Sequence, residues 1–292
     1  MPKLTDELAA LHSKSVAEQS EEILDWRTKW NLERSRKIKR LARQGVITAG
    51  DLIGRLPHLS PGMKQFGIRL ISEFKIRQGV PVLLELLSDR AVRVCCADAL
   101  CWMKSGKKVT RHFVQIGERE MASDTPDRHW LEPVILGGGK DTDDPDVVEL
   151  LVSIFERVDL PGWIRGDAGD KLGCVDAISD RRTQLFRRCR DAALRGLRDE
   201  SIDVQFWSMY LIGQLCNRHT PRRRSERSGL EAALPTLRKH AANDHRLAPG
   251  YWWPMSAEAE DVIICIKTGH WPDKDAADRW IGNTQRGEWT RD

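Results

Sequence analysis

A three-part phrase recurs along this chain of 292 residues and restricts its fold more than any other feature. A polar turn carrying aspartate leads to valine, and valine leads into a helix containing small residues. The first copy runs from Asp89 through Val92 and Arg93 to Ala97, Ala99 and Leu100. The second is Asp143, Asp144, Pro145, Asp146, Val147 and Val148, and the third runs from Asp199 through Asp203, Val204, Gln205, Phe206 and Trp207 to Leu211. The three valines stand 55 and 57 positions apart. One helix pair cannot cover its own apolar face, so units repeating on this scale must stack on one another. Helix-pair repeats commonly run to ~40 residues, so insertions are expected near 106–124 and 159–180.

The punctuation between copies is helical. Ser60-Pro61, Thr125-Pro126 and Asp144-Pro145 each read as an N-cap followed by proline at the first helical position, where a missing N–H costs nothing. A helix from Pro61 would bury Phe66, Ile68, Leu70 and Ile71. Pro81 falls in the first turn of a partner helix over 80–87. A further helix is expected from about Ser256 to Thr268, and another over 5–44. The 159–180 stretch carries Gly162, Gly166, Gly169 and Gly173, so it reads as a loop. No strand pattern persists. The expected fold is all-α, an α-solenoid of stacked antiparallel helix pairs. Residues 1–59 form an N-terminal helical cap, 60–250 the repeats and 251–292 a C-terminal cap.

Bulk properties narrow the setting. Hydrophobic residues make up 40%, enough for a sizeable core. Basic and acidic residues number 47 and 43, so any contact with an anionic partner must come from local clustering. Seven cysteines, several within apolar helical patterns, read as reduced thiols and not as a disulfide framework. No apolar run reaches the ~18 residues of a spanning helix, and the N-terminus lacks a signal-peptide plan. A cytoplasmic, bacterial protein away from membranes is the expectation.

Asp89, Val92, Arg93, Ala97, Ala99 and Leu100, with Asp203, Val204, Leu211, Gly213 and Leu215, resemble HEAT repeats, in particular the bacterial phycobilisome-lyase HEAT-like type. Gln205 and Val148 depart at the arginine position. The resemblance covers roughly 60–245 and implies a HEAT-like superhelix. It says little of activity, because such repeats serve as scaffolds, adaptors, lyases and a small class of DNA glycosylases. The glycosylase branch would need a Trp/Asp pair facing a basic groove; Trp207 and Asp203 supply one only if they face the concavity, and a first-helix position argues against that.

Motifs of chemistry fail on spacing. Gly137-Gly138-Gly139-Lys140 lacks the earlier glycine of a phosphate loop, since position 134 is Val, and Asp141 replaces its Ser/Thr. An EF-hand loop from Asp141 would need glycine at 146 and glutamate at 152, where Asp146 and Val152 stand. Cys216, His219, His240 and His245 have loosely acceptable zinc spacing, but Cys216 sits in a core-like helix. No catalytic constellation, metal site or cofactor is expected.

Arginines carry the main binding signal. Arg181, Arg188 and Arg195 recur every seven residues and so share one helix face, opposite a seam of Leu185, Cys189, Ala192, Ala193 and Leu197. Arg222, Arg223 and Arg224 lie in the next polar stretch. In stacked repeats the second helices line one wall, so this stripe is expected on a concave, basic face. Trp102 and Trp207 read as core. Trp252, Trp253 and Trp271 lie in C-terminal loops and either pack the end of the stack or offer aromatic anchors. The functional expectation is a protein-binding scaffold or adaptor holding an acidic partner protein on that face. Nucleic acid, bound through phosphates, is the alternative.

Overall fold

The computed structural model describes residues 48–138, 144–174, 184–217, 229–251, 253–273 and 275–276. Every extended element among them is a helix, apart from an isolated bridge between Leu247 and Pro254. The chain divides into two compact units, 1–109 and 110–292. The expected helix over 5–44 lies outside the described residues.

In the first unit, α1 (Ala49–Arg55), α2 (Pro61–Glu73), α3 (Val80–Leu86) and α4 (Arg93–Trp102) follow one another. Ser60 occupies the N-cap position of α2 without a capping bond from its side chain, and Pro61 is the first helical residue. Phe66, Ile68, Leu70 and Ile71 are buried as expected, with Leu83, Val92, Cys96 and Leu100 in the same unit's core. The first copy of the phrase acquires a physical meaning here. Asp89 accepts the Ala91 N–H and an ion pair from Lys64 at 2.7 Å. Arg93, 8% exposed, turns back and donates Nε to the Leu87 carbonyl at the end of α3. The arginine of the phrase therefore acts as a C-cap for the preceding helix. Trp102, read as core, is 59% exposed at the final position of α4.

The division falls in the first turn of α5 (Lys107–Met121), and the second unit goes on through α6 (Arg128–Gly138), α7 (Pro145–Glu156), α8 (Gly162–Cys174), α9 (Gln184–Gly196), α10 (Ile202–Asn217), α11 (Leu234–Asn243) and α12 (Met255–Thr268). Its neighbours fall into a regular scheme. Helices α6, α8, α10 and α12 pack in series, α7 packs on α9, and the pairs α7–α8, α9–α10 and α11–α12 join the two rows. This is the neighbour pattern of an α-solenoid of helix pairs, in which each repeat contacts only the next.

Two segments expected as insertions are helices. Residues 106–124 hold α5, and 159–180 hold α8. Glycine disfavours a helix by ~1 kcal/mol relative to alanine, which is why α8 read as a loop. The α8 glycines, however, stand at helical spacing on one face. A Cβ on Gly166 would lie 2.7 Å from Trp207, and one on Gly173 would lie 2.6 Å from Tyr210. The bare backbone lets α10 approach closely, and that packing outweighs propensity.

The helix starts are mostly as expected. Asp144 caps α7 through the Asp146 N–H. At α6 the cap is Asp127, which accepts the His129 N–H, rather than Thr125. Helix ends repeat the α3 solution. Arg157 donates to the carbonyls of Met121 (2.6 Å) and Ser123 (2.8 Å) past α5, and Arg165 donates to the Phe155 carbonyl of α7 at 3.0 Å.

Candidate functional site: an aromatic and acidic cleft

Helix α10 presents Asp203, Trp207, Tyr210 and Gln214 at intervals of about one turn, hence along one face. Its side toward α8 is set by the glycine row. Beyond α10, the segment around the Leu247–Pro254 bridge and the residues after α12 bring Tyr251, Trp253 and Trp271 against the same face. Ring contacts then run without a break. Trp253 lies 4.3 Å from Tyr251, Tyr251 lies 5.3 Å from Phe206 and 6.4 Å from Trp207, Trp207 lies 5.4 Å from Tyr210, and Tyr210 stacks on Trp271 at 6.4 Å. Both tyrosines of the chain belong to this series. Trp271 reaches its place because Gly213 leaves room for its ring.

Five of these rings, those of Phe206, Tyr210, Tyr251, Trp253 and Trp271, border a cleft of about 380 Å³. Carboxylates complete it: Glu258 and Asp261 on α12, and Asp275 at its rim. Glu258 is 6% exposed and accepts the Trp253 indole N–H at 3.1 Å, which fixes that ring. Asp261 is 1% exposed and accepts the Ala276 N–H at 2.5 Å, which ties the segment after α12 to that helix. Burial, then the charges of Asp170 and Glu258, push the Tyr251 hydroxyl above its usual range, so it stays a neutral donor at physiological pH.

The negative character continues across α8. Asp167 is pushed up to about 6 by burial; Lys171 opposes this, while Asp170, Glu132 and Asp203 add to it. Lys171 itself pairs with Asp170 at 2.7 Å. The face formed by α8, α10 and α12 is therefore aromatic and acidic. Burial also pushes the Cys96 and Cys189 thiols up to about 12, leaving them unreactive. Among the described residues no cluster of His, Cys, Asp and Glu is arranged to hold a metal. In particular, the His240 ring faces Asp244 at 2.8 Å, and Cys216 is buried.

The sequence-expected residues divide. Arg188 and Arg195 share a face of α9, as their spacing requires, but that face meets α7. Arg188 pairs with Glu156 at 2.5 Å and Glu149 at 3.6 Å, and Arg195 pairs with Glu156. Arg181, Arg222, Arg223, Arg224 and Trp252 lie outside the described residues. Trp253 is part of the cleft. Trp207, read as core, is only partly buried and helps line the aromatic face. The helix carrying it, expected as the first of a pair, is the second member of the α9–α10 pair. Tyr210, Tyr251, Glu258 and Asp261 were not singled out from sequence, and Phe206 figured there only as part of the recurring phrase. The spacing 206, 210, 214 was a usable signal for the α10 part of the cleft. The contribution of 251–275 has no signal, since tertiary packing alone brings it there.

No helix is long and apolar enough among the described residues to cross a membrane. No family model, no curated protein and no solved structure matches this chain.

Proposed function

We propose that this chain is a protein-binding scaffold of HEAT-like helix pairs, and that its aromatic cleft is the recognition point, holding a cationic side chain of a partner protein. The observation carrying this reading is the unbroken series Trp253, Tyr251, Phe206, Trp207, Tyr210, Trp271 beside the buried carboxylates of Glu258 and Asp261. Aromatic faces attract cations within about 6 Å of the ring centroid, and a nearby carboxylate adds to the attraction once water is displaced. The cleft volume suits one long side chain. Tyr251 is 38% exposed, so a partner segment approaching from solvent can reach it.

The acidic partner suggested by the arginine series has less support, because Arg188 and Arg195 already face carboxylates of α7. A phosphate backbone would meet Glu258, Asp261 and Asp275 at this cleft, which is unfavourable.

Tryptophan fluorescence titration tests the reading. The probe is an N-acetyl, C-amidated trimethyllysine, compared with its neutral tert-butyl isostere. The cation is expected to bind in the millimolar range or tighter and the isostere roughly tenfold more weakly. Trp253→Ala and, independently, Tyr251→Ala should each abolish that preference. Equal binding of the two probes, or no binding, overturns the proposal.

A further inference from the structure

A second cavity of about 490 Å³ lies where the end of α9, the start of α10 and α11 meet. Its lining includes three cations, Arg198, Lys239 and Arg246, against one carboxylate, Asp244. Leu197 and His240 form its less exposed floor, and Gln205, Thr236 and Asn243 add polar groups.

The arrangement is held by a chain of hydrogen bonds. Gln205 donates Nε2 to the Asp199 carbonyl, so its Oε1 is turned outward. That oxygen accepts from Arg246 Nη2 at 2.7 Å. Arg246 also grips Asp244 through Nε and Nη2, at 2.8 and 2.7 Å. Asp244 in turn faces His240 Nδ1 at 2.8 Å, while His240 Nε2 lies 3.4 Å from the Leu197 carbonyl. The Arg246 guanidinium is thereby fixed in direction, with Nη1 not engaged by Asp244 or Gln205. Asp244 is occupied twice over and contributes little repulsion. Arg198 and Lys239 bring two further positive charges that no carboxylate among the described residues neutralises. A fixed guanidinium beside two exposed cations is a donor set suited to a multiply charged oxyanion, because fork-shaped N–H pairs match tetrahedral oxygens.

We infer that this cavity is an anion site for a phosphoryl group, bound by Arg198, Lys239 and Arg246, with the Thr236 hydroxyl within the same lining. It is distinct from the aromatic cleft and takes the opposite charge. It therefore gives the scaffold a second contact whose occupant is either a free phosphate or a phosphorylated side chain.

Isothermal titration at constant ionic strength tests this, using inorganic phosphate in one arm and phosphoserine amide in the other, with chloride as the screening control. Wild-type protein is expected to bind at least one of them at millimolar concentration or below. Arg198→Ala with Lys239→Ala should weaken that binding by roughly tenfold or more, as expected for lost charge-assisted hydrogen bonds. Both side chains are exposed, so this variant keeps its fold, which circular dichroism verifies. Trp253→Ala should leave phosphate binding unchanged, which separates this site from the cleft. Tighter binding of phosphoserine amide than of phosphate assigns the site to a phosphorylated side chain, and the reverse to free phosphate. Absence of binding in both arms, or equal binding by the double variant, overturns the inference.

Discussion

Arg165 and Asp199 form a bidentate ion pair, at 2.5 and 3.1 Å, across two successive repeats of the second unit. Arg165 lies on α8 and is 6% exposed, and its Nε also closes the end of α7 at the Phe155 carbonyl. Asp199 belongs to the turn after α9 and accepts the Ser201 N–H as well. One side chain therefore ties three elements together, and the aspartate of the recurring phrase is its anchor.

Asp199→Asn should destabilise the protein by about 3 kcal/mol, because it leaves a buried guanidinium without its counter-charge. Urea denaturation measures this as a lower midpoint at unchanged slope. Arg165→Met, which removes the cation instead, should cost less. Burial acts to raise the Asp199 carboxyl, but the hydrogen bonds from Arg165 and Ser201 outweigh it and hold the group below its ordinary value of 3.8. Its stabilisation is thus present above pH 3.8 and lost as pH falls through the lower folded-state value. The asparagine variant should lack that acid-side loss.

Gly166→Ala should lower stability by about 1–3 kcal/mol, despite alanine's better helix propensity, since the new methyl meets Trp207 at 2.7 Å and Asp203 at 3.0 Å. Gly54→Ala in α1 should do the opposite, adding up to ~1 kcal/mol, because nothing lies within 4 Å of its Cβ position. Thermal melts of the two variants at one pH compare them directly. A stabilising Gly166→Ala would contradict the close approach of α8 and α10.

Arg188→Glu with Arg195→Glu places four carboxylates on the contact between α7 and α9. A loss of about 1–2 kcal/mol is expected, the size of a few partly exposed ion pairs replaced by repulsion. Adding Glu149→Arg and Glu156→Arg should restore most of it. Denaturation midpoints of the two- and fourfold variants provide the check. If the double variant is as stable as the parent, these arginines do not serve the packing of α7 on α9.

Asp167 yields a pH prediction of opposite sign to that of Asp199. Its folded value of about 6 lies above the ordinary 3.8, so the folded state binds the extra proton between those values. Stability should therefore fall as pH rises from about 4 to about 6 and then level off. Asp167→Asn should remove that decline and raise the melting temperature at pH 7. The side chain reaches solvent, so the shift in melting temperature should be modest. Melting curves from pH 4 to 7 resolve it.

Helix identity was legible where local chemistry decides it. Asp144 before Pro145, Ser60 before Pro61 and the apolar spacing of Phe66, Leu70 and Ile71 all specify helices with their neighbours in the chain. The seven-residue spacing of Arg188 and Arg195 likewise put both on one face of α9. Whether that face meets solvent or Glu149 and Glu156 depends on a helix some forty residues away, which spacing does not reach.

Local sequence therefore determined that this chain is built of helix pairs in series, because caps, prolines and apolar periodicity act over a single turn or two. Tertiary structure alone decided that the glycine row of α8 is helical, that Trp207 lies in a partly open aromatic face, and that Tyr251, Trp253 and Trp271 converge there. The reason is energetic as well as geometric. Close packing of Trp207 and Tyr210 on bare backbone repays a propensity deficit that no local rule can offset, while the cleft itself is closed by segments brought together from α10, 251–253, α12 and 271–276.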